Sequence, residues 1–213
     1  MTLQLVRTNR AWWLRFGGSS GILAPIFGFA FIGLAIASYP EFSWLDNALS
    51  DLGVVPGVTS SLFNFGLLLS GLATFNFAAA LFTFQGDRIL GKIGSAVFIL
   101  ASLSLMGIGV FPENVRPFHF IFSVAFFTLM PIALLMIAAH YAISRRKRVA
   151  VFTLLVAVAA ASPWVLLSLV QYVPGVAIPE LVSALAGAAW TMTVGYKMLK
   201  KGSRTENSTS TRL

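Results

Sequence analysis

The chain has 213 residues, of which 57% are hydrophobic and only 10% are charged, whereas a soluble domain carries about 25% charged residues. This composition excludes an ordinary water-soluble domain, and the absence of cysteine excludes disulfides, thiolate nucleophiles and cysteine metal sites. The net charge of +8 would suggest nucleic acid in a soluble protein. Here the basic residues lie in short clusters between apolar runs, so we expect a membrane lipid, and no nucleic acid, as the partner.

Six apolar stretches are long enough to cross a bilayer, which takes about 20 residues. In chain order they are residues 19–39, 60–84, 91–111, 117–143, 150–170 and 181–198. The predicted fold class is therefore all-α, a polytopic membrane protein built as a bundle of six transmembrane helices over residues 1–201. Residues 202–213 are polar and rich in Ser and Thr, so we expect them to form a disordered cytoplasmic tail.

Basic residues are concentrated at one end of this predicted bundle. All but one of the 15 Lys and Arg residues fall there, and Arg116 is the exception. Most of the acidic residues fall at the other end. Because cytoplasmic loops are rich in Lys and Arg, we expect a multi-pass protein of the cell membrane with both termini in the cytoplasm.

The first outer loop has the sequence YPEFSWLDNALSDLG over residues 39–53. Ser43 suits the N-cap of a helix, and Gly53 suits the residue that ends it. Ser43, Asn47 and Ser50 recur at helical spacing, and apolar residues occupy the other face. The loop therefore predicts a short amphipathic outer-face helix between the first and second spans.

Asp51 is the residue that fits this predicted helix least. It falls in the last turn, where the helix dipole disfavours an anion. One explanation is exposure to water or a local bond to a neighbouring backbone N–H. The other is a partner in a polar pocket, and the sequence leaves both explanations open.

The start of the fourth span carries a second group of polar residues. Pro117 suits the first turn of a helix, which places His119 in that turn at the outer interface and Ser123 on the same face. A neutral histidine there can accept a proton or bind a partner, although a lone His at a helix end is more often structural. Glu113 and Arg116 precede the helix, where charges can flank a lipid head group.

The two stretches together resemble a known family. The resemblance is carried by Pro40, Ser43, residues 47–53, residues 109–112 and His119. This pattern is similar to the prokaryotic membrane family catalogued as domain of unknown function 998, over roughly residues 17–200. More distantly, it resembles the DRAM and Frag-type proteins of autophagy modulation and GPI remodelling. In those six-span proteins a Ser-Asp/Glu-x-Gly motif follows the first span and a His opens the fourth.

The first resemblance implies a six-span fold without an established activity, and the second implies lipid handling. By position, they point to Ser50, Asp51, Gly53 and His119. We therefore expect the protein to bind or remodel a lipid-like molecule at the outer interface. In a catalytic version Ser50 would be the nucleophile, His119 the base and Asp51 the group that orients it.

Further residues are candidates for substrate binding without chemistry. They are Ser43, Asn47, Glu113, Arg116 and Ser123. The same set can bind a head group without reacting, so the sequence leaves open whether the protein is an enzyme.

Three other classes of protein were weighed against lipid binding. A zinc hydrolase usually needs three protein ligands, but the two histidines, His119 and His140, lie at opposite ends of one predicted helix. We therefore expect no metal and no cofactor. The span interiors carry no charged residues, which weakens ion coupling. A transporter or lipid flippase, and a non-catalytic scaffold or accessory subunit, remain as alternatives.

Overall fold

Six long helices make up the computed structural model, which describes residues 2–86 and 88–210, with side chains described in 9–86 and 88–205. The helices are α1 (Thr2–Ala37), α2 (Val58–Phe84), α3 (Ile89–Val110), α4 (Phe118–Ile143), α5 (Lys147–Val170) and α6 (Ala177–Ser210). Each contains a stretch long and apolar enough to cross a membrane. The predicted all-α, six-span fold is therefore confirmed, and the chain is a multi-pass membrane protein.

The helix ends differ from the predicted spans mainly at the two ends of the chain. The helices α2 to α5 begin and end within one turn of prediction, whereas α1 begins earlier and α6 continues through Ser210. Residues 202–210 are thus helical where a disordered tail was expected, and residues 211–213 lie outside the described residues. Gly202 shows the physical reason, since a Cβ there would lie 2.8 Å from the Ala11 carbonyl oxygen. At Gly202 the extension of α6 packs against α1 at Ala11 and Arg15, while the division into domain and tail stays a prediction.

The helices form a closed ring in chain order, in which each packs against the next and α6 packs against α1. Short connections make consecutive helices antiparallel, so an even number of spans brings both chain ends to the same end of the bundle. Close approach of two backbones closes the ring. A Cβ at Gly18 would lie 2.7 Å from the Gly195 carbonyl oxygen, and a Cβ at Gly195 would lie 2.6 Å from that of Gly18. Glycine is the residue that permits this crossing.

Trp190 of α6 fills the interior of the ring and is 0% exposed. Its ring centroid lies 5.8 Å from that of Phe77 on α2 and 5.3 Å from that of Phe98 on α3. Its indole N–H donates to the Thr153 hydroxyl on α5 at 3.1 Å. One side chain thus joins four helices, and its polar atom is satisfied as burial requires.

The bundle has two chemically different ends. The acidic end consists of the connections 38–57, 111–117 and 171–176 with the adjoining first turns of α4 and α6. The basic end consists of the two remaining connections and the two ends of the chain. The predicted site residues belong to the acidic end, apart from Ser123 in the second turn of α4.

Candidate functional site

The first connection at the acidic end does not form the expected amphipathic helix. Residues 44–46 make a turn, and the only helical residues are the single 3-10 turn Ser50–Gly53. Ser43 caps the first turn rather than a helix, because its hydroxyl accepts the N–H of Asp46 at 3.3 Å. Gly53 does not act as a helix stop either, since its carbonyl accepts the side-chain amide of Asn64 on α2 at 2.9 Å.

The segment that leads into α6 explains why no helix forms. The Gly175 N–H donates to the Leu45 carbonyl at 2.7 Å, and the N–H groups of Val176 and Ala177 donate to the Asn47 carbonyl at 3.1 and 2.9 Å. A helix needs these carbonyls for its own hydrogen bonds. The approach is close, since a Cβ at Gly175 would lie 2.5 Å from the Asn47 carbonyl oxygen. A tertiary contact has therefore replaced the local helix.

Asp51 makes both kinds of contact that the sequence left open. Its Oδ2 atom accepts the backbone N–H of Ala48 at 2.9 Å and the side-chain amide of Asn47 at 2.8 Å. Its carboxyl group also lies beside that of Glu113, close enough to share a hydrogen bond when one of them is protonated. Asp51 thus holds the loop and meets a second acid at the same time.

Three carboxyl groups, those of Asp51, Glu113 and Glu180, gather at this end. The charges of Asp51 and Glu113 both act on Glu180. Burial raises the pKa of Glu113 from 4.5 to about 7, helped by the hydrogen bond to Asp51 and by its charge and opposed by Arg116. The Oε2 atom of Glu113 is buried and has no hydrogen-bond partner among the described residues. Asp51 and Glu180 thus receive hydrogen bonds from the first connection, whereas the Oε2 atom of Glu113 receives none from the described residues.

Glu180, in the first turn of α6, is the site residue that sequence reasoning missed. It is 8% exposed, and its Oε2 atom accepts the backbone N–H of Leu49 at 2.6 Å. An acidic residue in a first helical turn ordinarily complements the helix dipole. That ordinary role gave no signal that Glu180 would reach across to the first connection.

His119 lies in the first turn of α4, as predicted, and is 6% exposed. Its Nδ1 atom lies 2.8 Å from the Phe111 carbonyl oxygen. A carbonyl can only accept, so Nδ1 carries the proton and Nε2 is left as the acceptor. A backbone carbonyl, rather than the expected Asp51, therefore orients the ring. No hydrogen bond or ion pair joins Asp51 to His119 among the described side chains.

A cavity of about 760 Å³ lies between α4, α5, α6 and the first connection, within the range of about 300–1,000 Å³ typical of ligand pockets. Its polar lining consists of Ser50, Glu113, Arg116, His119, Ser123, Thr128 and Glu180. Its apolar lining includes Phe120, Val124, Phe127, Trp164 and Val176. We call this space the outer cavity. It places polar groups and a large apolar wall around one volume.

A second cavity, of about 120 Å³, lies inside the ring and is lined by residues of α1 to α4 and α6, most of them apolar. Ser50, Phe127 and Glu180 line both cavities, so the two spaces adjoin at these residues. Ser50 is 7% exposed, and its hydroxyl makes no hydrogen bond to any described residue. We call this space the inner cavity.

Some of the predicted site residues line the outer cavity, whereas Ser43, Asn47 and Asp51 do not. The outer cavity is lined by Ser50, Glu113, Arg116, His119 and Ser123. Ser43 and Asn47 do not line it, because the Asn47 amide oxygen accepts the Ser43 N–H at 2.9 Å and its amide nitrogen bonds Asp51. They hold the turn, and their predicted binding roles stay predictions. In the described part of the chain, no three His, Cys, Asp or Glu residues are grouped to hold a metal ion.

Comparison with known proteins yields one family. No curated protein and no solved structure matches the chain. The sequence pattern of a family described as protein of unknown function (DUF998) matches residues 22–197. This range includes every residue that lines the outer and inner cavities. Because the match spans most of the chain, the protein belongs to the DUF998 family of membrane proteins, whose function is not known.

Proposed function

We propose that the protein binds a lipid-like molecule, with a polar head and an apolar tail, in the outer cavity. The observation that carries this proposal is the two-sided lining of that cavity. Glu113, His119 and Arg116 provide charge and hydrogen bonding, whereas Phe127 and Trp164 form an apolar wall with ring centroids 4.6 Å apart. A fully polar ligand would gain nothing from that wall, and a hydrocarbon would leave the polar groups without partners.

The position of the cavity supports the same conclusion. It lies at one end of a six-span bundle, next to the first turn of α4, which is the depth at which lipid head groups meet a membrane protein. We place this acidic end on the outer face of the cell membrane, because all but one of the 15 Lys and Arg residues fall toward the other end. Both chain ends are then cytoplasmic.

Remodelling of the bound lipid is the second candidate function. It is favoured by His119, whose hydrogen bond to the Phe111 carbonyl leaves Nε2 free to accept a proton. In this version the Ser50 hydroxyl would attack an ester carbonyl of the lipid, and His119 would take its proton and give it to the departing alcohol. Water would then release the acyl chain from Ser50. Asp51 would act through Glu113, which it contacts and which lines the cavity.

Filling the outer cavity tests the binding proposal. Ser123 lines the cavity and makes no hydrogen bond to a described residue, so Ser123→Phe removes space without removing a bond. We expect the purified variant to bind lysophospholipids at least about tenfold more weakly than the wild type, a loss of about 1.4 kcal/mol. Native mass spectrometry of the detergent-solubilised protein measures this binding directly.

Ser168→Phe is the matched control, because Ser168 is exposed on α5 and lies outside the cavity lining. It should bind like the wild type. Equal binding by the wild type and both variants would show that the outer cavity is not the lipid site.

Incubation of the protein with lipids separates binding from remodelling. A new lipid mass formed by the wild type, and absent with His119→Ala and Asp51→Asn, would identify an enzyme. Unchanged lipids with a binding-competent wild type would leave binding alone as the function.

A further inference from the structure

We infer that the head group held in the outer cavity is a protonated amine, so that the ligand is an amino lipid. This inference rests on the proposed lipid binding and adds the chemical class of the head group. It follows from the hydrogen-bonding capacity and the charge of the cavity lining, taken in turn.

The polar lining includes two buried side chains, those of Ser50 and His119, with a polar atom that no described residue bonds. The carboxyl group of Glu113 lines the cavity, and its side-chain hydrogen bond goes to Asp51. In the neutral ring of His119 the Nε2 atom is an acceptor, because Nδ1 donates to the Phe111 carbonyl. Ser50 is 7% exposed, and its hydroxyl is unbonded by any described residue. A neutral His119 and the carboxyl groups of the lining accept hydrogen bonds, whereas the Ser50 hydroxyl can donate or accept one. A ligand rich in N–H donors therefore matches this lining.

The charge of the lining favours a cation. Glu113 and Glu180 line the cavity, and the Asp51 carboxyl lies directly beside Glu113. Arg116 is the one basic residue in the lining and is exposed. Burial and the neighbouring Asp51 raise the pKa of Glu113 to about 7, so Glu113 is only partly ionised near neutral pH without a further cation. Neighbouring carboxylates repel each other, and an opposite charge within about 4–6 Å relieves that repulsion. An anionic head group would add to it.

Primary ammonium meets both requirements, since it carries one positive charge with three N–H donors and no acceptor. A quaternary ammonium has the charge but no N–H donor, so it could not donate a hydrogen bond to Glu113 or to the Nε2 atom of His119. A phosphoglycerol head group has hydroxyl donors but a net negative charge. We therefore expect the cavity to bind a primary ammonium head group more tightly than a quaternary ammonium or a phosphoglycerol head group.

Lysophospholipids that share one acyl chain and differ in head group test the inference. We expect the full-length protein in detergent to bind the ethanolamine form at least about tenfold more tightly than the choline and glycerol forms, as measured by native mass spectrometry. Glu113→Gln should reduce this preference to less than about threefold. Glu41→Gln, which neutralises an exposed acid of the same connection, should leave the preference intact.

Ser50→Ala provides a second variant in case Glu113→Gln fails to fold, because it removes only a hydroxyl; the preference for the amine should again fall. Equal binding of all three lysophospholipids would overturn the amine inference and leave lipid binding standing. Binding of none of them would overturn both. Free ethanolamine that binds as tightly as the lysophospholipid would show that the ligand is a soluble amine rather than a lipid.

Discussion

The contact between Glu180 and the first connection should carry a measurable part of the stability of the acidic end. The Glu180 Oε2 atom accepts the Leu49 N–H at 2.6 Å, and Glu180 is only 8% exposed. Water therefore cannot readily replace the Glu180 carboxyl group as the acceptor for the Leu49 N–H. Glu180→Ala would leave the Leu49 N–H without an acceptor, whereas Glu180→Gln would keep an acceptor and lose only the charge.

The size of the effect follows from the cost of an unpaired buried donor. That cost is about 1–3 kcal/mol, and hydrogen bonds to charged groups are worth about 1.5–3 kcal/mol. We therefore expect Glu180→Ala to lower the free energy of unfolding by about 2–3 kcal/mol. Glu180→Gln should cost less than about 1 kcal/mol, because the amide oxygen still accepts and the repulsion from Asp51 and Glu113 is relieved.

Reversible unfolding in sodium dodecyl sulfate, followed by tryptophan fluorescence, measures these free energies. Glu41→Ala removes an exposed acid of the same connection and serves as the control. The reasoning would be refuted if Glu180→Ala lay within about 0.5 kcal/mol of the control, the usual range for surface substitutions. Equal losses for Ala and Gln would instead show that the charge, and not the hydrogen bond, holds the loop.

Three further predictions concern packing and pH. Gly175→Ala would place a Cβ 2.5 Å from the carbonyl oxygen of Asn47, so we expect it to lower the free energy of unfolding by about 1–3 kcal/mol in the same assay. Gly33→Ala, with open space around it, should leave that free energy unchanged. Equal free energies of unfolding for the two variants would contradict the close approach at Gly175. Thermal stability should fall as pH rises from about 4.5 to about 7, because the pKa of Glu113 is raised from 4.5 to about 7 and its deprotonation therefore costs the folded state more than the unfolded chain. Glu113→Gln should flatten that slope, and an unchanged slope would refute the assignment. Trp190→Phe removes a fully buried indole and its hydrogen bond to α5 and should cost about 1–3 kcal/mol; a loss below about 0.5 kcal/mol would show that this contact adds little.

Local sequence patterns were sufficient to predict the membrane spans and the position of His119 at the start of α4. Crossing a bilayer requires length and apolarity, which are properties of a short stretch of chain, so α2 to α5 end within one turn of their predicted bounds. The position of His119 followed from Pro117 in the same way, although Pro117 precedes α4 instead of opening it. In both cases the relevant physics acts between residues close in sequence.

The first connection shows where such patterns stop being informative. Helical spacing of Ser43, Asn47 and Ser50 is a local signal, but the loop backbone pairs with the segment leading into α6. Leu49 and Glu180 are 131 positions apart in the chain. Hydrogen bonds from so distant a segment cannot be read from the loop itself, and they outweighed its helical pattern.

The amino-acid sequence by itself determined that the chain crosses a membrane six times and that acidic groups gather at one end, because both follow from the order of apolar and charged residues. Only the tertiary structure decided which of those groups meet. Closure of the ring brings the start of α6 against the first connection, and Glu180 thereby joins Asp51 and Glu113. The fold of the 111–117 connection gives His119 a backbone carbonyl as its partner. These contacts depend on how the helices pack, which no single stretch of the chain encodes.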